Sequence, residues 1–198
     1  MKRSVQQDRS LRRSPLRRLR GFFSANDGVA AIEFAFVSLP FFALMMGIFE
    51  LGLIFLLSTT LDNALGIASR HIRTGEYQTG TATVSATSFQ SDICSNLGWL
   101  QAACTGNLRT DVETFTSFKA ATTGMVSPMN GTTYDPTKLT GYKTTAPCDI
   151  VVVRAYYKWP LIAPGINKTS SSLSDGSLLL TSTVAFRNEP FTASVTSC

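Results

Sequence analysis

Glu33 lies five residues past Gly28 and just inside the longest apolar run of the chain, in the stretch Gly28-Val29-Ala30-Ala31-Ile32-Glu33-Phe34. A carboxylate in a helix that enters lipid costs a few kcal/mol on insertion scales, so a bare anchor is expected to avoid it. The chemistry open to such a group is charge pairing. A cation brought beside it offsets the burial and keeps it ionised, whereas an unpartnered carboxyl there takes up a proton. Val29 and Glu33 are four residues apart and so share one helical face. The remaining sequence offers little else of this kind. His71 is the single histidine and reads as a surface helical residue. With no second histidine and no acidic cluster, neither a metal site nor a Ser-His-Asp triad has a foundation. Neither phosphate-cradling glycine motif is present. No catalytic residue, metal or cofactor is expected, and the chain does not read as an enzyme.

The elements that would position Glu33 follow from the charge pattern. The net charge of +5 conceals an asymmetry: residues 1–28 carry +6 and the rest carries −1. A basic tail directly before an apolar run is a cytoplasmic topology signal rather than a nucleic-acid arm. Sixteen residues between Phe34 and Phe49 hold no charge, and the wider run from Val29 to Leu61 exceeds the roughly 20 residues needed to span a bilayer. The expected arrangement is a single pass through a membrane, amino terminus in the cytoplasm and carboxyl-terminal domain outside. A cleaved secretory signal fits less well, because the apolar core is too long and no A-x-A-like site follows it. Glu50 would fall near the opposite membrane face and reads as interfacial.

Beyond the span the pattern turns amphipathic. Leu61, Leu65, Ala68 and Ile72 keep helical spacing, and Thr74-Gly75 is a stop signal. A helix of about 45 residues, roughly 68 Å long, is expected, with a kink at Pro40. The small residues Ala31, Ala35, Ala43 and Gly47 resemble a close-packing seam. Residues 79–88 read as a linker. Phe89, Ile93, Leu97 and Leu100 suggest a further helix, with Thr87-x-x-Gln90 as its capping box. Strands are expected over residues 108–118, 150–159 and 178–186, the first placing Leu108, Val112 and Phe118 on one face. Residues 122–147 and 160–177 read as loops, holding the sequons at Asn130 and Asn167. The fold class is therefore α+β: a long transmembrane helix, then a small antiparallel sheet with an accessory helix pair. The domains are a basic leader over 1–28, a membrane and amphipathic helix over 29–75, and a periplasmic domain over 76–198.

Cys94, Cys104, Cys148 and Cys198 all fall on the outer side, and an even number there suggests two disulfides. Cys94–Cys104 is the preferred local pair, which leaves Cys148–Cys198, with a free or intermolecular thiol at Cys198 as the lesser alternative. Ten residues of straight helix would hold Cys94 and Cys104 about 15 Å apart, so a bridge requires a turn near Gly98.

These residues together resemble a known family. The basic leader ending at Gly28, followed by Val-Ala-Ala-Ile-Glu33-Phe34, is similar to the prepilin-peptidase site of the tight-adherence (Tad/Flp) type IV pili. Gly47-Ile48-Phe49-Glu50-Leu51-Gly52, Leu61-Asp62-Asn63-Ala64, Ala68-Ser69-Arg70, Arg73-Thr74-Gly75 and Arg187-Asn188-Glu189-Pro190-Phe191 resemble the TadE-like pseudopilins. The resemblance implies cleavage after Gly28 by a membrane prepilin peptidase, with Val29 as the new amino terminus. It also implies a bacterial inner membrane with a periplasmic carboxyl-terminal domain, and a role for Glu33 in meeting the amino terminus of a neighbouring subunit. The implied partners are that peptidase, other pilin-like subunits, the assembly machinery and membrane lipid, with no nucleic acid. The alternative reading is an uncleaved membrane-anchored periplasmic binding protein.

Overall fold

One helix, α1 (Val29–Arg73), runs unbroken for 45 residues and through Pro40 in the computed structural model. The structure describes residues 28–80, 84–162, 173–192 and 194–198. The basic leader with Phe22 and Phe23, and the sequon Asn167-Lys168-Thr169, lie outside the described residues. The chain divides into two compact units, Met1–Met45 and Met46–Cys198. In the first, the helix exposes apolar side chains all round: Ile32, Phe34, Phe36, Val37, Leu39, Phe41, Phe42 and Leu44 are all open. A backbone that closes its own hydrogen bonds beneath such a surface is what hydrocarbon demands. An 18-residue window of α1 reaches a mean hydropathy of 2.2, enough by length and composition to cross a membrane. Polar side chains along α1 bond back to their own helix: Ser38 Oγ donates to Ala35 O, and Thr60 Oγ1 to Leu56 O at 2.7 Å.

In the second unit the same helix buries one stripe. Leu57, Leu61, Ala64, Leu65, Ala68 and Ile72 are all essentially inaccessible. They meet one face of a three-stranded antiparallel sheet, ordered β1 (Leu108–Phe115), β4 (Ile150–Trp159), β5 (Leu178–Arg187). The register sets Leu108 opposite Tyr157 and Tyr157 opposite Leu180. Alternation then gathers Leu108 and Val112 with Val151, Val153, Ala155 and Tyr157 on the helix-facing side, inside one hydrophobic core. The sheet is thus the expected one, with its first strand shorter than anticipated. Phe118 is not in that strand. Ser117 caps a short helix, α5 (Phe118–Gly124), and Phe118 is half exposed at its start. The expected loop over 122–147 contains a tight hairpin, β2 (Met129–Asn130) with β3 (Thr133–Tyr134), which turns at Gly131 within the Asn130 sequon.

Between α1 and the sheet lie short helices α2 (Glu76–Thr79), α3 (Ala86–Ser95) and α4 (Gln101–Asn107). The linker over 79–88 is therefore shorter than read from the sequence. The capping box of α3 is Ser85 with Ser88, not Thr87 with Gln90. Gln90 is used elsewhere: its Nε2 donates to the carbonyls of Thr105 and Leu108, at 3.0 and 2.6 Å, tying α3 to the start of β1. Between α3 and α4 the chain reverses at Gly98, whose φ of 57° is left-handed. That turn sets Cys94 and Cys104 at 5.6 Å between Cα atoms, in a disulfide. Cys148 and Cys198 form the second, tying the carboxyl terminus to the entry of β4.

Two of the sequence motifs meet at the end of α1. The Glu189 amide donates to Arg73 O at 3.0 Å, and the Arg73 and Glu189 side chains pair at 3.3 Å. Gly75 takes φ 80°, and a Cβ there would lie 2.1 Å from Phe191 Cγ. Gly75 is therefore fixed twice over, by its left-handed backbone and by Phe191 packed on its Cα. We expect Gly75→Ala to lower stability by about 1–3 kcal/mol, read as a fall in the unfolding midpoint of the detergent-solubilised chain, whereas Gly52→Ala, in open space within a helix, does not lower it.

Candidate functional site

Gly28 immediately precedes the first residue of α1 and is exposed. A Cβ at Gly28 would meet nothing within 4 Å, so no packing demand of the described fold requires glycine there. Val29 opens the helix and Glu33 follows one turn later, both exposed. Phe34, 70% exposed, stands beside Glu33 as part of the apolar surface. The helix thus presents a junction residue without a side chain, a first residue whose amide leads the helix, and a carboxylate within reach of that first turn.

The small residues divide into two sets. At 3.6 residues per turn, Ala31 and Ala35 stand about 120° round the helix from Ala43 and Gly47. Ala31 and Ala35 line a shallow apolar concavity with Ile32, Phe36 and Leu39. Ala43 and Gly47 belong to another face and are half-buried. A close-packing neighbour therefore has two separate small-residue faces to use, not one continuous seam.

Glu50 corrects the interfacial reading. It is 2% exposed, and its Oε1 accepts the Ile162 amide at 2.5 Å. Ile162, just past the end of β4, meets the helix at Glu50, so the protein itself solvates this carboxylate. His71 likewise is more than a surface residue. Its Nδ1 lies 3.6 Å from Asp92 Oδ2, its ring packs edge-on to Tyr77, and the Tyr77 hydroxyl donates to Asp92. Burial, and then the adjoining carboxylate, push the Tyr77 phenol well above its ordinary value, so it stays protonated and donates.

A family model described as TadE-like protein matches residues 28–70. Over that segment the chain is similar to the TadE-like family. The matched region begins at the exposed glycine and covers α1 to within three residues of its end. The match supports a protein associated with the Tad pilus. No curated protein and no solved structure matches the chain. The apolar first half of α1 is compatible with a single-pass membrane anchor.

The domain that follows α1 is pinned by an ion cluster not anticipated from the sequence. Asp111 and Arg154 sit directly opposite in the β1–β4 ladder, and Arg154 Nη2 bonds both Asp111 and Glu113, the latter at 2.6 Å. Arg154 Nη1 also donates to Val126 O at 2.7 Å. The other Asp111 oxygen accepts the Thr140 amide and hydroxyl and the Gly141 amide. The cluster therefore ties the 126–141 excursion to the sheet face remote from α1. The legible signal was parity: Asp111 and Glu113 share the polar side of β1, and Arg154 interrupts an otherwise uncharged run from Ile150 to Tyr157 in β4. Among the described residues, no group of three His, Cys, Asp or Glu could hold a metal ion.

Burial, followed by the nearby Asp111 carboxylate, raises the Glu113 carboxyl above its ordinary value. The folded state then holds the proton where the unfolded chain has lost it, so this group's contribution to stability falls as pH rises above 4.5. We expect Glu113→Gln to remove that slope in urea unfolding followed by tryptophan fluorescence. By contrast, Asp111→Ala strands a buried guanidinium and frees Thr140, at a cost of about 3–5 kcal/mol.

Proposed function

We propose that this chain is a minor pseudopilin of a Tad/Flp adhesive pilus, processed by a prepilin peptidase after Gly28, and that it acts by packing rather than by catalysis. The carrying observation is that the TadE-like match begins at residue 28, immediately before Val29 at the start of α1, and that the apolar side chains which follow are exposed. Cleavage there removes a +6 leader and leaves an almost neutral chain whose helix can leave the bilayer laterally or be drawn outward. It also creates an ammonium on Val29, one turn from Glu33 and on the same face. The carboxylate of one subunit and the amine of the next can then neutralise each other in an apolar surrounding, where an isolated charge is costly.

The geometry supports a division of labour. Residues 29–49 offer an apolar surface to lipid before assembly and to other pilin-like helices afterwards, since packing and small-residue contact can replace lipid around such a helix. The domain from Met46 onward, with its two disulfides, suits an oxidising periplasm. On this reading the leader stays in the cytoplasm, where its positive charge holds it until cleavage.

The amino-terminal residue of the chain recovered from membranes tests the proposal. Processing gives Val29, and Gly28→Leu, for which there is room in the fold, leaves Met1 and a heavier chain. A wild-type chain that keeps Met1 in cells carrying the peptidase is instead an uncleaved anchor for the outer domain.

A further inference from the structure

The two edges of the three-stranded sheet are treated differently. Residues 141–143 close the outer edge of β1: the Val112 amide donates to Gly141 O at 2.6 Å and the Lys143 amide to Val112 O at 3.1 Å. The outer edge of β5 has no such cover from Thr181 onward among the described residues. The Asn188 amide donates to Asp149 O, and the β4–β5 register runs on without a break for ten pairs. Alternation of an antiparallel ladder then turns the amides and carbonyls of Thr181, Thr183 and Ala185 away from β4. This strand lacks the usual devices that blunt an edge. It has no proline or bulge, and its single charge, Arg187, stands at its very end.

Alongside that edge runs a groove lined by Gly66, Ser69, Arg70 and Arg73 of α1 and by Val184, Ala185 and Phe186 of β5. Ser69 is 3% exposed, and its hydroxyl has no hydrogen-bond partner among the described residues. A buried hydroxyl left this way costs free energy until something reaches it. Gly66 leaves the groove open, since a Cβ there would meet nothing within 4 Å. The charge is one-sided. Arg73 is matched by Glu189, whereas Arg70 makes no ion pair among the described residues. A row of outward amides and carbonyls calls for polypeptide backbone, and Arg70 calls for a carboxylate.

We propose that the open edge of β5 and the facing surface of α1 take up an extended, acidic segment of a different polypeptide as an added strand. Main-chain hydrogen bonds to Thr181, Thr183 and Ala185 supply affinity, while Ser69 and Arg70 select a segment with a carboxylate at the matching position. This surface would be used whether or not the leader is cleaved.

The test uses the full chain in detergent micelles, with amide hydrogen exchange followed residue by residue by NMR. The probes are two synthetic peptides of alternating Thr and Val, one with Glu at its centre and one with Lys there. The amides of Thr181, Thr183 and Ala185 should exchange freely in the chain alone. The Glu peptide should slow them by about tenfold or more, and the Lys peptide should not. Thr183→Pro, which removes an outward donor on an edge strand, should abolish the protection while the β4 amides stay slow, confirming an intact sheet. Arg70→Glu should reverse the preference between peptides. Slow exchange of those three amides without peptide, equal protection by both peptides, or no protection by either would overturn the proposal. Protection that grows with protein concentration alone would also overturn it, because a second copy would then be the occupant.

Discussion

The first half of α1 carries an apolar surface compatible with a membrane anchor, and the second half holds a folded domain. Along Val29–Phe49 nearly every apolar side chain is open, and the backbone depends on its own i to i−4 bonds. From Leu57 a single stripe is buried against the sheet and short helices. Each fully buried Leu or Ile in that stripe contributes about 1.5–3 kcal/mol relative to exposure. The end of α1 is held by Gly75 under Phe191 and by Arg73 against Glu189.

Carboxylates removed from water have three different solutions within this one chain. Asp111 is matched to a guanidinium and to three groups of a loop, so it is satisfied wholly within the domain. Glu50 is met by the backbone at Ile162, just past the end of β4. Glu33 is exposed on the apolar half of α1, where the surrounding medium on the proposed reading is lipid or another helix. Its counter-charge then comes from outside the chain, and that is why processing and assembly are coupled in the proposed account.

Much of this was legible in the sequence because the signals were local. The 3.6-residue stripe, the stop at Gly75, the alternating runs of β4 and β5 and the need for a turn near Gly98 all arise from neighbouring residues. What escaped notice depended on long-range pairing. Gln90 fits a capping position by spacing, but its amide is drawn to the carbonyls of Thr105 and Leu108. Phe118 continues the strand pattern, yet Ser117 caps a helix there. Glu50 read as an interfacial acid and the pairing of Arg154 went unread, since Ile162, Asp111 and Glu113 lie more than 40 residues from them along the chain. The small residues look like one seam when counted in fours, because four is not the period of the helix.

Charge removal at Glu33 is the most direct measurement of the central claim. In cells expressing Glu33→Gln, with the amino terminus found at Val29 and the protein level unchanged, incorporation of the chain into pilus-assembly complexes is quantified by co-isolation with the other pilin-like subunits. If the carboxylate meets the amine of a neighbouring subunit, incorporation falls by about tenfold or more, as loss of a buried charge pair predicts. Undiminished incorporation of the processed variant would contradict the account.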